Sequence, residues 1–408
     1  MKPLLCLGLL FVMAAPRQAP APALVITNGS IIDPTGRTPV TRATVVVERG
    51  RITAIGVNPA IPPVARVVDA RGRFLVPGLW DMHAHLSAPN PVDNSPERYV
   101  GYGVLGVRDM GGYADTLFRL RGQIRSGDRI GPEIVMAGPT LNGEQSGSWH
   151  RVVATDAEAR AAVRELRAFG VDFIKVHRAM SRKAFLAVVD ESRRAGLTVS
   201  GHVPLALSWI EASNLGMRTI EHIQTVFENE QPDPKLLGAQ FAAIDTRLSG
   251  PHGDSIWAVL KRNHTFFDPT LVGYEANLDK AGPEAATRRR AAYARMKLLA
   301  ARIVKAGVPI LAGTDVLERQ GDMLLLELER LVEIGMTPRQ ALAAATTTAT
   351  EAVLHHGSGR IEVGAPAMFL ILDANPLHDI RNLRALSSVV LSGRLIESAE
   401  LARLRNLP

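Results

Sequence analysis

Two histidines separated by one residue, His83 and His85, are the part of this sequence best suited to chemistry. They lie in an apolar run, residues 75–86, that has the pattern of a buried strand. Side chains alternate along a strand, so the two imidazoles share one face and can bind one metal ion. Histidines at a polar rim or in a hydrogen-bonded core would give the same pattern, so the pair alone leaves both interpretations open.

Four further residues with ionisable side chains each lie at or near the end of a strand-like run. They are Lys175, His202, His222 and Asp315. Each has an ordinary alternative: the ammonium can reach solvent at a rim, the histidines can be hydrogen-bonded core residues, and the aspartate can cap the next helix. An ammonium that stays inside so apolar a run must be neutralised, paired or modified. Their recurrence at successive strand ends favours one shared site.

The elements that would bring these residues together alternate between strand-like and helix-like runs over residues 76–356. Thr155 and Thr337 each begin a predicted helix with a capping box. The predicted strands end near His85, Asp109, Pro139, His177, His202, His222, Thr270 and Asp315. Eight such units favour the α/β class and a closed (β/α)8 TIM barrel, in which inward-facing residues at the carboxyl ends of the strands meet at one mouth.

The two ends of the chain have a different pattern, short β-rich runs broken by turn residues at 24–75 and 357–408. Neither end has enough strands for a stable sheet alone, so we predict that they pack together as one small β-sandwich domain. The Arg49-Gly50 break between two alternating runs predicts a hairpin.

The length and charge of the chain exclude some classes of function. With 408 residues and 46% hydrophobic content, the chain can form one large domain and a smaller one. The net charge is +7, but Lys and Arg are spread along the sequence with no tract longer than residues 288–290. The sequence has no zinc finger, basic amphipathic helix or interleaving of aromatic and basic residues, so we predict no nucleic-acid partner.

The N-terminus has the pattern of a secretory signal peptide, which we place at residues 1–23. Lys2 precedes an apolar stretch, and small residues precede Leu24 as a cleavage site. We therefore predict a secreted or periplasmic protein that does not contact the membrane once the signal is removed; an uncleaved anchor is the alternative. Cys6, the only cysteine, lies in this segment, so a thiol ligand or nucleophile is not expected in the mature chain.

Taken together, these motifs resemble those of the metal-dependent amidohydrolase superfamily, in the branch of the imidazolonepropionases and Xaa-Pro dipeptidases. The resemblance spans nearly the whole chain: Pro77-Gly78, His83-x-His85, residues 170–175, Gly201-His202, Glu221-His222, residues 313–315 and Asn375-Pro376-Leu377. It implies that His83 and His85 hold the more buried of two metals with help from Asp315. It further implies that Lys175 is carboxylated and bridges both metals, and that His202 and His222 hold the more exposed one.

The reaction implied by this resemblance is hydrolysis at an amide-like carbon. Two divalent ions, with zinc preferred for imidazole and carboxylate ligands, would share an attacking hydroxide, and Asp315 would carry the proton to the leaving nitrogen. We therefore predict a binuclear metal-dependent hydrolase that cleaves a C–N bond in a small amide-like substrate.

Several alternatives keep the same residues. A dipeptidase or carboxypeptidase, an esterase or lactonase, and a non-catalytic ligand-binding descendant all remain, and a homo-oligomer is left open. Pro204 stands where dipeptidase-like relatives often have a substrate-holding tyrosine, which argues against peptidase activity. His177, His150 and Tyr274 are the candidates for substrate contacts, because they follow predicted strands on loops that should cover the mouth.

Overall fold

The computed structural model describes residues 22–37, 39–87, 95–231, 233–278, 280, 282–353 and 359–407. The predicted signal peptide lies outside these residues up to position 21, and so do Cys6 and the predicted domain boundary at 356–357. Within the described ranges, no helix is both long enough and apolar enough to cross a membrane. Secretion and cleavage stay predictions.

Five short strands open the described chain: β1 (Ala23–Ile31), β2 (Val40–Glu48), β3 (Arg51–Gly56), β4 (Ala65–Asp69) and β5 (Phe74–Pro77). β1 pairs antiparallel with β2, and β2 pairs antiparallel with β3. At the turn between β2 and β3, Arg49 and Gly50 have φ angles of 50° and 74°. A two-residue hairpin turn with two positive φ angles matches the twist of its strands, so the predicted hairpin is present.

The middle of the chain contributes strands that pair in parallel with one another. They are β6 (Leu79–Ala84), β7 (Val104–Asp109), β8 (Glu133–Met136), β9 (Thr140–Asn142), β10 (His150–Val152), β11 (Phe173–Val176), β12 (Thr198–Gly201), β13 (Met217–Glu221) and β14 (Phe266–Asp268). One sheet has the order β6-β7-β8 and the other the order β10-β9-β11-β12-β13-β14. This is the parallel α/β arrangement that the alternation predicts.

The single strand predicted over residues 75–86 is in fact two strands, because the chain changes sheets at Gly78. β5 ends before it and β6 begins after it. A Cβ at position 78 would lie 2.7 Å from Cδ1 of Leu105, so the crossing requires a glycine.

The eighth predicted strand, ending at Asp315, forms only an isolated parallel bridge between Phe267 and Ile310. Its later amides leave the ladder: the Gly313 N–H donates to Asp268 and the Thr314 N–H donates to Asp81. Pro309 before them has no N–H to donate.

Single backbone hydrogen bonds nevertheless link the edges of the two parallel sheets, in one case through the segment that contains Ile310. Asp172 N–H donates to Met136 O at 2.9 Å, and Met82 N–H donates to Ala312 O at 3.0 Å. The paired strands of the described residues form two parallel sheets and not one continuous closed barrel. The structure therefore shows the α/β class, and the closed TIM barrel stays a proposal.

Strands from the C-terminal part, β15 (Met368–Leu372), β16 (Leu386–Leu391) and β17 (Arg394–Glu397), join the N-terminal ones. β15 pairs antiparallel with β5, which gives one eight-stranded sheet in the order β17-β16-β15-β5-β1-β2-β3, with β4 beside β1. The two ends of the chain do pair with each other, as predicted. Their packing as a β-sandwich, and the domain bounds 24–75 and 357–408, remain predictions.

The helices of the described residues follow the alternation. They are α1 (Pro96–Gly101), α2 (Ala114–Ser126), α3 (Asp156–Phe169), α4 (Arg182–Ala195), α5 (Trp209–Asn214), α6 (Ile223–Glu230), α7 (Pro234–Leu248), α8 (Pro251–Arg262), α9 (Leu271–Glu275), α10 (Pro283–Ala306), α11 (Asp322–Glu333), α12 (Pro338–Ala344), α13 (Thr347–Ala352), α14 (Ser398–Arg405) and a 3-10 turn at Ile380–Arg384. Thr155 and Thr337 form both halves of the predicted capping boxes, so these helices begin where the sequence indicates.

Two apolar layers hold the parallel strands. Ile174 and Val176 of β11 belong to the large core that includes the surrounding helices, whereas Phe173 packs in a separate cluster with Trp80 and Phe266. Since side chains alternate along a strand, Lys175 lies on the side of Phe173, away from the helices. This arrangement turns the predicted ligands inward.

Candidate active site

The two histidines of the first parallel strand are each oriented through one ring nitrogen. Nδ1 of the fully buried His83 lies 3.2 Å from a carboxylate oxygen of Glu221, and Nδ1 of His85 lies 2.7 Å from the carbonyl oxygen of Gly111. Both partners can only accept, so the proton is held on Nδ1. The two Nε2 atoms then face Asp315, at 3.6 Å and 3.3 Å from its Oδ1.

Asp315 lies at the centre of the histidines. Its backbone has a φ of 52°, and its N–H donates to the carbonyl oxygen of His83 at 2.9 Å. Its Oδ2 is 3.7 Å from Nδ1 of His222. Burial would raise the pKa of Asp315, but the imidazoles of His85 and His222 beside it outweigh burial and hold the pKa at about 2. The helix-cap alternative is wrong, because α11 begins only at Asp322.

Lys175 is buried beside these groups, with 3% of its surface exposed. Its Nζ is 3.4 Å from Nε2 of His83, and no carboxylate of the described residues lies within 4.0 Å of it. Burial lowers the pKa of Lys175, while the more distant Asp315 and Glu221 act in the opposite direction. The ammonium therefore does not escape to a solvent-exposed rim.

His222 and His202 complete the cluster. Nδ1 of His222 is 2.8 Å from the hydroxyl of Thr270, and its ring centre lies 4.6 Å from that of His83 and 4.7 Å from that of His202. Nδ1 of His202 is buried and has no hydrogen-bond partner. Burial lowers the pKa of both rings, to about 4 for His222, so at neutral pH both are uncharged and have a lone pair to offer. All six predicted ligands are thus brought together.

A second carboxylate layer lies beneath the histidines and is neutralised by an arginine. His83, Glu221 and Asp268 are fully buried, and their ligand atoms lie close enough to hold an ion. The guanidinium of Arg108 already contacts this group, at 2.9 Å from Glu221 and 3.6 Å from Asp268. It also donates to the Met82 carbonyl at 2.6 Å. These contacts make the lower cluster an ion-pair network and not a metal site.

Arg108 and Asp109 are adjacent at the end of β7, but they do not pair with each other. Successive residues of a strand point to opposite faces, so the two side chains separate. Arg108 turns toward Glu221, whereas Asp109 accepts the N–H groups of Leu86 and Gly111 at 2.6 Å and 3.1 Å.

The three predicted substrate contacts lie at the edge of the cluster. The ring of His177 is 4.2 Å from that of His202 and 4.9 Å from that of His150. His150 is fixed by Ser146, whose hydroxyl is 2.6 Å from its Nδ1. Burial lowers the pKa of His177 to about 3, so this ring too is neutral. Tyr274 lies apart from these rings, in the wall of a cavity that reaches Asp315.

Two cavities open beside Asp315. The larger, of about 830 Å³, includes His85 and Trp149 in its lining, and the smaller, of about 590 Å³, includes Thr270 and Tyr274. Both volumes are within the range that small-molecule sites occupy. The arrangement therefore offers two ligand-sized spaces that both reach the candidate catalytic carboxylate.

Sequence analysis missed several buried polar residues that support the cluster. Asp81 accepts the N–H of His83 at 3.1 Å and both the N–H and hydroxyl of Thr314, at 3.0 Å and 2.8 Å, which ties the two ligand-bearing segments together. Burial raises the pKa of Asp81 to about 7. An acid inside an apolar strand, two residues before His83 and on the same face, was a signal that pattern analysis could have used. Asp268, which ends the apolar β14, is a second such case.

Comparison with known proteins identifies the family. A sequence model of the Amidohydrolase family matches residues 74–396, which is most of the chain. Ochratoxinase from Aspergillus niger is 24% identical over 453 aligned positions, covering 92% of this chain and 87% of that enzyme.

Solved structures share the fold. The crystal structure of a prolidase complexed with N-methylphosphonate-L-proline has a TM-score of 0.75 and 24% identity, and the alignment covers 92% of this chain and 99% of that one. The crystal structure of A. niger ochratoxinase has a TM-score of 0.73 and 23% identity, with coverage of 93% and 97%. The structural match extends beyond the parallel strands to nearly the entire chain.

Proposed function

The chain belongs to the amidohydrolase family, whose members act on carbon–nitrogen bonds, and on that premise we propose that it is a binuclear metal-dependent amide hydrolase. Its substrate is a small molecule with an amide-like bond. Two divalent ions, zinc by preference, would be held by His83, His85, Asp315, His202 and His222. Lys175, once carboxylated, would complete this ligand set.

Lys175 is the residue that carries this proposal. It is 3% exposed, and within the described part of the chain no carboxylate lies close enough to pair with it. A buried, unpaired ammonium is costly, whereas addition of carbon dioxide to a neutral amine gives a carboxylate-like group that suits a site for two cations. The neighbouring donors fit such cations: the imidazoles of His202 and His222 are neutral, and Nδ1 of His202 is buried without a partner.

Different residues of the site would have different roles in the reaction. Two divalent ions would polarise the scissile carbonyl and lower the pKa of a bound water. Asp315 is ionised at neutral pH, so one of its carboxylate oxygens can accept the proton of the attacking water and pass it to the leaving nitrogen. Glu221 and Thr270 hold the rings of His83 and His222 in place through their Nδ1 atoms.

We also propose the finer architecture. Backbone hydrogen bonds connect β8 with the start of β11, β14 with the Ile310 segment, and that segment with β6, which supports a closed (β/α)8 barrel over residues 76–356. Pairing of β5 with β15 supports a composite β-sandwich domain from both chain ends. The apolar N-terminus supports secretion to the periplasm or the exterior after cleavage near Leu24.

Metal analysis of purified protein, together with a Lys175→Ala variant, tests the proposal. We expect close to two divalent metals per chain in the wild type, and in the variant a loss of metal and of amide hydrolysis that small carboxylic acids partly restore. Lys183→Ala is the matched control, because that lysine is 82% exposed and its partner Asp156 lies at 3.7 Å on the surface. A metal-free wild type that hydrolyses amides, or full activity without Lys175, would contradict the proposal.

A further inference from the structure

Trp149 differs from the other three tryptophans of the chain in being open to solvent. Trp80, Trp209 and Trp257 are exposed by 2% or less, whereas Trp149 is half-buried. It belongs to the lining of the larger cavity beside Asp315. Removing an aromatic ring from water is favourable, so an indole left open in a ligand-sized cavity is a candidate contact for a ligand.

Contacts to two other segments fix the position of Trp149. Its carbonyl oxygen accepts the N–H of Thr140 at 3.2 Å, and the next residue begins β10. The indole lies close to Gly111, where an added Cβ would be 3.5 Å from its Cδ1 and Nε1. The φ of Gly111 is 146°, which also favours glycine. Trp149 is therefore not placed by its own loop alone.

Trp149 lies next to the candidate metal site through His85. The ring centres of these two residues are 6.0 Å apart. The carbonyl oxygen of Gly111 holds Nδ1 of His85 at 2.7 Å, and Nε2 of that ring lies 3.3 Å from Oδ1 of Asp315. A substrate group that contacts the indole would therefore be joined to an amide at Asp315 by a short linker.

The buried part of the cavity lining is apolar. Leu278, Val316 and Met323 are buried, and the last two pack in one small cluster with Val272. The thioether of Met323 suits an aromatic ligand, because contacts between sulfur and an aromatic ring are favourable. These side chains and Trp149 together offer a ring-sized apolar group more than a polar one.

The charged side chains of the same lining carry both signs, so they do not favour one charge on the ligand. Besides Asp315 they are Glu275, Lys280, Arg290, Glu318 and Arg319. The last four are exposed, and Glu275 accepts two N–H groups of Arg330, at 2.7 Å and 2.8 Å. Water and salt screen charges in such exposed positions. The aromatic and apolar groups therefore decide which ligand fits.

We propose that Trp149 is a specificity-determining residue, which selects amides that carry an aromatic ring close to the scissile bond by stacking on that ring. This inference rests on the proposed amide hydrolysis and specifies its substrate class. An aromatic pair is more favourable than its buried area alone accounts for, so an aromatic ring is preferred over a saturated ring of the same size.

Two amides that differ only in this ring test the assignment. N-benzylacetamide carries the aromatic ring, and N-(cyclohexylmethyl)acetamide carries a saturated ring at the same position. One methylene group separates the ring from the nitrogen in both, so the leaving amines are similar. We expect metal-loaded wild type to prefer the benzyl amide by about 2- to 12-fold in kcat/KM. Trp149→Phe should keep a preference, whereas Trp149→Leu, apolar but not aromatic, should lose it.

Tryptophan fluorescence gives a second measurement that depends neither on hydrolysis nor on a variant. The other three indoles are buried, so acrylamide should quench mainly the emission of Trp149. N-benzylacetamide should protect this emission from quenching at lower concentrations than the cyclohexylmethyl amide. Phe169→Leu is the control: its ring is 40% exposed on α3, outside the cavity lining, so this variant should show the preference and the protection of wild type.

Each outcome separates this inference from the proposed function. If wild type hydrolyses both amides equally well, or if Trp149→Leu keeps the wild-type preference, the aromatic site is overturned and amide hydrolysis stands. Protection of Trp149 by the benzyl amide, with hydrolysis of neither amide, would support the aromatic site and count against the hydrolase. If the benzyl amide does not protect Trp149 from quenching, this substrate class is wrong.

Discussion

Replacing Arg108 by Met would expose how much the candidate metal site depends on the ion-pair network beneath it. Arg108 is 1% exposed and makes two contacts to Glu221, at 2.9 Å and 3.0 Å, a hydrogen bond of 2.7 Å to Thr219 and a further contact of 3.6 Å to Asp268. Removing the guanidinium leaves the buried Glu221 carboxylate without a counter-charge. Breaking a buried pair from one side costs about 3–5 kcal/mol, so we expect a loss of that size in the free energy of unfolding.

The same substitution should weaken metal binding through His83. Glu221 holds Nδ1 of that ring, and without Arg108 it loses both of its guanidinium contacts and keeps the hydrogen bond from the Thr219 hydroxyl, so its position is less firmly fixed. Loss of such an outer partner typically lowers metal affinity about 10- to 100-fold. Urea denaturation of the metal-free protein measures the first effect, and competition with a chromophoric chelator measures the second.

Two further variants make the result interpretable. Adding Glu221→Gln to Arg108→Met removes one uncompensated charge, so the double variant should be more stable than the single one. Arg66→Met is the control: it pairs with Glu397 at 2.7 Å, and both side chains are exposed, at 53% and 64%, so its loss should cost no more than about 1 kcal/mol. The candidate metal site would not depend on this ion-pair network if Arg108→Met lost no more stability than the control. A metal affinity equal to that of wild type would refute the dependence as well.

Three other predictions concern stability. Gly106→Ala should cost about 1–3 kcal/mol in the free energy of unfolding, because a Cβ there would lie 2.2 Å from the Trp80 ring. Gly122 has open space around it, so Gly122→Ala should cost nothing. Equal Tm values for the two variants would refute this prediction. Burial raises the pKa of Glu327 from 4.5 to about 8, so the folded chain keeps a proton that the unfolded chain releases. The free energy of unfolding should therefore fall as pH rises through that window, by up to about 1.4 kcal/mol per unit, and Glu327→Gln should fall less steeply in urea titrations at several pH values. Removing metal with a chelator should lower Tm and abolish amide hydrolysis, and added zinc should restore both; a Tm unaffected by chelation would count against bound metal.

Local patterns in the sequence were enough for the main elements. The apolar alternation around His83 and the capping boxes at Thr155 and Thr337 depend on residues a few positions apart, and the structure has the corresponding strands and helices. The order of strands followed from the same alternation, because crossover helices place successive parallel strands side by side. Strand ends in a parallel sheet share one edge, and for this reason six ligand candidates that are distant in the chain could be assigned to one site from residue order alone.

Other features depended on contacts between segments that are distant in sequence. The break of the first predicted strand at Gly78 comes from the close approach of Leu105, and the loss of ladder pairing near Asp315 comes from Asp81 and Asp268 accepting its neighbouring amides. The pairing of Arg108 with Glu221 and Asp268 likewise joins residues that are far apart in the chain. The position of a residue in a strand determines on which face of the sheet its side chain lies. Packing against other segments then determines which carboxylate on that face the side chain contacts.

The sequence by itself determined which side chains can do chemistry and on which strand ends they lie, because residue type and strand periodicity are local properties. Only the tertiary structure decided which polar groups are buried and unpaired, since burial and pairing depend on every segment that packs around them. Lys175 illustrates both: its sequence position predicted an inward-facing lysine, and its surroundings showed that no carboxylate of the described chain neutralises it.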